Sequence, residues 1–217
     1  MLKRKKENKS KSLYLIGSLL ILSSISIMIY KYFDEKQTNK IEEISIQEYY
    51  KEEDNEKEQI KETNVEDSSN KIENSSKEEV KKNQNVVNYI AILRIPKINL
   101  KRGLVDKESK YNDIKYNIMI HEKSTYPDSV GGNVILLAHS GNSTVSYFKN
   151  LYKLKLDDII YLDYNNKTYK YKLVNIYDIE KNGKALIKKD VSKSTITLIT
   201  CRANTNKQIV LIGELIA

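Results

Sequence analysis

Apolar and polar positions follow three different patterns along the chain. From Ser12 to Tyr30 no residue is charged, and apolar residues dominate: Leu13-Tyr14-Leu15-Ile16, Leu19-Leu20-Ile21-Leu22, then Ile25, Ile27, Met28 and Ile29. At roughly 1.5 Å per residue that run spans about 28 Å as a helix, close to the hydrocarbon thickness of a bilayer. Ser18, Ser23, Ser24 and Ser26 dilute the run, but a serine hydroxyl can bond back to a helical carbonyl. Tyr30, Tyr32 and Phe33 stand where an interfacial aromatic belt belongs, and Lys31 can snorkel there. Residues 34–86 are Glu, Lys, Asn, Ser and Gln with scattered single apolar residues and neither Gly nor Pro. Charge pairs between Glu52 and Lys61, and a weak apolar face of Ile41, Ile44, Ile46, Tyr49 and Tyr50, allow transient helix. Neither offers enough apolar area to offset ordering entropy, so a solvated spacer is expected.

From about residue 87 the period changes to that of strands. Tyr89–Ile95 is a short β-rich run closed by Pro96, and Lys97–Leu100 continues it. Asn133–Ala138 is continuously apolar after Gly131-Gly132, the pattern of a strand buried on both faces. Ile159–Tyr164 and Thr168–Tyr177 flank Asn165-Asn166-Lys167 and predict a hairpin, since asparagine tolerates the positive φ of its turn. Thr195–Thr200 and Gln208–Ile216 are further strands. Helix is expected only over Val145–Leu151 and Asn112–Ile118. The fold class is therefore all-β: a closed or nearly closed barrel of about eight strands with short helices, behind a transmembrane helix and a polar linker.

Charge refines this division. The net +8 over 217 residues conceals +5 in residues 1–11, −7 in 34–86 and +9 in 87–217. The basic cluster of Lys3, Arg4, Lys5, Lys6, Lys9 and Lys11 ahead of the apolar run keeps the N-terminus in the cytoplasm and sends the chain beyond residue 33 outside. No A-x-A-like site comes after the run, and it exceeds the usual signal-peptide core, so an uncleaved anchor is expected. The expected divisions are a cytoplasmic tail (1–11), a transmembrane anchor (12–33), a charged flexible linker (34–86) and a folded domain (87–217). The lysines of that domain are scattered, with no basic motif interleaved with aromatics. An anionic cell-wall setting suits them better than nucleic acid.

One Cys and two His leave no intramolecular disulfide and too few soft ligands for a structural zinc site. Cys201 directly follows the run Thr195–Thr200, and His139 directly follows the buried strand ending at Ala138. A thiol in mid-strand is usually inert packing, whereas one at a strand end can reach solvent and react. On these grounds alone a Cys–His nucleophile pair competes with a half-buried thiol and a surface histidine. His121 is expected on a surface loop.

Four segments in order resemble one family. Thr197-Leu198-Ile199-Thr200-Cys201 is similar to the T-L-x-T-C signature of sortases, the membrane-anchored cysteine transpeptidases of Gram-positive bacteria. Ala138-His139-Ser140-Gly141 resembles their histidine segment. Tyr147–Leu151 with Lys155-Leu156-Asp157-Asp158 resembles their F-x-x-L…L-x-x-G-D stretch, and Ile95-Pro96-Lys97-Ile98 their I-P-x-I opening. The likeness covers roughly residues 89–217, and the pattern looks nearer to classes A and D than to class B.

The resemblance implies a sortase catalytic domain over 87–217, with Cys201 as nucleophile and His139 as acid and base. It implies cleavage of an L-P-x-T-G-like sorting signal on secreted proteins through a thioester. Transfer would then go to an amine of a cell-wall precursor or a pilin. No cofactor is implied, with calcium activation left open. The family's arginine on the strand after the cysteine is displaced. Lys207 stands near its place, and Arg202 follows Cys201 directly. Lysine supplies charge but no planar fork, and both residues are candidates for an oxyanion or substrate contact, with Thr200 as a candidate orienting group. The alternative from another class is a non-catalytic, membrane-tethered barrel that binds cell-wall polymer or protein.

Overall fold

The computed structural model describes residues 2–62, 87–185 and 192–217. The chain divides into two compact units, Met1–Ile41 and Glu42–Ala217. The first is the opening part of a helix, α1 (Leu2–Glu62). Its large apolar side chains from Leu13 to Phe33 are exposed, and it is long and apolar enough to cross a membrane. The hydroxyls of Ser18, Ser23 and Ser24 donate to the carbonyls of Leu15, Leu20 and Ile21 at 2.8–2.9 Å, so these serines add no unmet polar group.

The second unit is built on one eight-stranded sheet that curls into a nearly closed barrel. Its strands are β1 (Ala91–Ile95), β2 (Leu100–Leu104), β3 (Met119–Ile120), β4 (Asn133–Leu137), β5 (Ile159–Tyr164), β6 (Lys167–Glu180), β7 (Thr195–Cys201) and β8 (Lys207–Leu215). They lie in the order β2-β1-β5-β6-β8-β7-β4-β3. Every pairing is antiparallel except β4 with β7. The side chain of Asn117, ahead of β3, donates to the Gly103 carbonyl of β2 at 3.2 Å and so links the two edges.

Strand alternation sorts the apolar residues onto two faces. Ile196, Leu198, Ile209 and Leu211 point inward to the main core with Leu93, Ile95, Leu136, Phe148 and Leu162. Ile135, Ile199 and Val210 point outward into a second cluster, against Leu137, Tyr177, Ile179, Ala185 and Ile212. That second cluster is why β4 reads as a continuous apolar run. The Asn165-Asn166 turn takes the expected positive φ, 48° and 60°.

Three expectations are corrected. The spacer is helical as far as Glu62, and its segment from Glu42 packs on the barrel. Ile46 and Tyr49 bury against Ile92, flanked by Tyr50 and Tyr89. Local sequence underestimates this segment because its ordering is stabilised by the barrel rather than by itself. Residues 63–86 of the expected spacer lie outside the described residues. The helices expected over Val145–Leu151 and Asn112–Ile118 are turns, with a 3-10 turn at Leu151–Lys153. Such segments are too short to repay helix nucleation, and burial of Phe148 and Leu151 organises the first of them instead. Between β1 and β2 the run does not continue: Pro96–Ile98 is a 3-10 turn ended by Asn99 at φ 52°.

Candidate active site

The parallel pair β4–β7 brings the two strand ends together. Its register matches Ile135 with Thr197 and Leu137 with Ile199. Beyond the last pair the strands stay joined, because the Ala138 N–H reaches the Ile199 carbonyl at 3.4 Å and the Thr200 hydroxyl donates to the Ala138 carbonyl at 2.6 Å. The last pair, Leu137 with Ile199, lies two residues before His139 on one segment and two before Cys201 on the other.

On its other side Cys201 pairs with Gln208 of β8, and Gln208 pairs with Ile179 of β6. Three neighbouring strands thus give a row, Cys201, Gln208 and Ile179, and His139 follows the end of the fourth strand, β4. The row before it is Leu137, Ile199, Val210, Tyr177. Adjacent strands lie about 4.8 Å apart, and residues directly opposite share a face. The thiol therefore shares the outer face with the Gln208 carboxamide, at the end of an apolar floor.

His139, Cys201 and Gln208 are all half-buried. The His139 carbonyl accepts from the N–H of fully buried Phe148 at 3.0 Å, which ties the histidine backbone to the core. Among the described residues no hydrogen bond reaches the His139 ring, the Cys201 thiol or the Gln208 amide. Burial pushes the Tyr177 phenol in the floor up, so it stays neutral.

The other candidates lie elsewhere. Lys207 is exposed at the start of β8, paired with Glu180. It is one residue before Gln208 and so turns to the opposite face from Cys201. Arg202 also alternates away from Cys201, and its guanidinium binds Asp178 Oδ1 at 2.9 and 2.7 Å. Thr200 is buried, and its hydroxyl is engaged by Ala138. His121 is half-buried at the end of β3, its N–H on the Ile135 carbonyl and its Nδ1 accepting from the Lys123 N–H at 3.1 Å. A cleft of about 260 Å³ touches Cys201 from the barrel's inner side, where Phe148, Thr200 and Ile209 line it with Arg202. Neither His139 nor Gln208 lines that cleft. Among the described residues no group of three His, Cys, Asp or Glu side chains could hold a metal ion. Gln208 escapes a reading of the sequence because its position depends on hairpin register, which the residues of the turn alone do not state.

A family model for the sortase domain matches residues 93–216. The chain belongs to the sortase family. Its barrel is similar to that of sortase A from Corynebacterium diphtheriae, a lid mutant, at TM-score 0.54 and 24% identity, covering 59% of this chain and 70% of that one. Sortase C2 of Group B Streptococcus pilus island 1 matches at TM-score 0.54 and 25% identity, over 59% and 74%. Clostridium perfringens sortase C, solved with the C-terminal cell wall sorting motif, matches at TM-score 0.53 and 23% identity, over 60% and 71%. These likenesses establish the sortase barrel and set class A and class C members equally near. No curated protein matches in sequence.

Proposed function

We propose that this sortase is a cysteine transpeptidase with Cys201 as nucleophile and His139 as general acid and base. The observation that supports the reading is the β4–β7 register, whose last pair lies two residues before His139 and Cys201, with the Thr200 hydroxyl on the Ala138 carbonyl just beyond it. As a thiolate, Cys201 Sγ attacks the Thr–Gly carbonyl carbon of an L-P-x-T-G-like sorting signal. The C–S bond forms and the carbonyl electron pair moves to oxygen. Collapse breaks the C–N bond, and imidazolium at His139 gives the leaving amine its proton. The thioester is then attacked by an amine of a cell-wall precursor or a pilin. His139 takes that amine's proton, the C–S bond breaks, and the thiolate returns.

The apolar floor of Ile135, Leu137, Ile199 and Val210 suits the leucine and proline of such a signal. The exposed apolar stretch of α1 acts as a single-pass anchor in the cell membrane. Its preceding basic residues keep the N-terminus in the cytoplasm, which puts the catalytic domain outside, where secreted substrates and wall precursors meet it.

The test is cleavage of a peptide library by the full chain in detergent micelles, read by mass spectrometry. The wild type releases the C-terminal part of sorting peptides and forms an adduct on Cys201. Cys201→Ala does neither. Full activity in Cys201→Ala would eliminate the mechanism.

A further inference from the structure

The family pattern calls for an arginine near the thiol, and the register shows what this chain has there instead. Gln208 is directly opposite Cys201, held from the other side by Ile179. Its backbone is fixed between two strands, so its Cβ cannot drift from the thiol's face. The two basic candidates fail on geometry: Lys207 and Arg202 alternate to the other face, and Arg202 is bound to Asp178. The Gln208 carboxamide is half-buried and has no partner among the described residues, so its donors remain available to a ligand.

We propose that Gln208 binds the scissile carbonyl oxygen, donating Nε2–H to it as the tetrahedral intermediate forms. This rests on the transpeptidase reading above. In that step Sγ bonds to the carbonyl carbon, and the π pair settles on oxygen as an oxyanion. The amide donor stabilises that charge without a proton changing hands. A neutral donor differs from arginine in a way that can be measured. It does nothing by charge for the thiolate before substrate arrives.

The experiment uses the full chain in detergent micelles, a peptide the wild type cleaves, and iodoacetamide as a probe of the free thiol. Gln208→Ala should lower kcat by ~100-fold and leave the alkylation rate of Cys201 unchanged. Gln208→Met keeps the side chain's length and its packing but donates nothing, and should fall with the alanine variant. Gln208→Glu replaces the donor with an anion and should fall at least as far. Gln208→Arg should keep more activity than Gln208→Ala and alkylate faster, because it adds charge beside the sulfur. Gln208→Ala and Gln208→Met retaining wild-type kcat would overturn the role of Gln208 alone. So would a Lys207→Ala variant that loses as much as Gln208→Ala. A wild type as inert as Cys201→Ala toward every peptide would overturn the transpeptidase reading and this role with it.

Discussion

The Thr200 hydroxyl donates to the Ala138 carbonyl at 2.6 Å, one residue before each member of the proposed catalytic pair. Together with the Ala138 N–H on the Ile199 carbonyl, it joins the two segments where the β4–β7 ladder stops. Thr200→Val keeps the shape and removes the donor, leaving a buried carbonyl without that partner. The expected cost is about 1–2 kcal/mol of stability, with a fall in kcat proportionally larger than the rise in KM. Denaturant titration and steady-state kinetics on the same preparation check both.

Asp163 is the charged centre of the side on which α1 docks. Its carboxylate accepts from Arg94 at 2.6 and 2.7 Å, from Tyr50 at 2.6 Å and from Thr168 at 2.7 Å. Burial pushes the carboxyl up, but these donors outweigh it and hold it below the usual carboxylate range. A depressed folded value means stability that is full above the unfolded value of about 3.9 and is lost as pH falls through the folded one. Asp163→Asn should therefore flatten the acid limb of stability below about pH 4. At pH 7 it should cost about 2 kcal/mol, less than a fully buried pair because solvent screens Arg94. Urea denaturation at pH 7 and pH 3 reads both effects.

Glu42 fastens the docked helix. Its side chain accepts from the Gly103 N–H at 2.8 Å and from the Tyr89 hydroxyl, with Arg102 at 3.4 Å. Burial first, and the Glu42 charge with it, push the Tyr89 phenol far up, so it stays a donor. Gly103 is required because a Cβ there would strike the Tyr89 ring. Glu42→Ala and Gly103→Ala should each free the helix segment, at about 3 kcal/mol for the first. Limited proteolysis should then cut near residues 42–55 while the barrel resists.

Asp157 occupies the glycine position of the L-x-x-G-D stretch and sits at φ 68°. Its N–H donates to the Leu173 carbonyl at 2.9 Å, so the turn cannot relax. Asp157→Gly should raise stability by about 0.5–1 kcal/mol, seen as a higher Tm with activity unchanged.

Legibility in the sequence follows the range of the interactions. Asn133–Ala138 stands out because burial on two faces leaves no polar alternation. The Asn165-Asn166 turn is visible for a local reason, its φ preference. The order of strands, the parallel β4–β7 pair and the neighbour of Cys201 are properties of pairing between distant segments, and no single stretch carries them. Hence Lys207 matches by count along the chain, while Gln208 faces Cys201 by register. The docked helix is hidden for the same reason: Ile46 and Tyr49 are too few to order a helix until Ile92 and Tyr89 meet them.

The parallel β4–β7 pair has a consequence in time. Antiparallel neighbours can zip from a turn, but these two strands must wait for everything between them to be made and threaded. A ribosome that has released His139 has produced only an inert imidazole, and its sulfur arrives some sixty residues later. The strand that carries Cys201 thus finds β4 only once the chain between them is complete, so the two strand ends meet late.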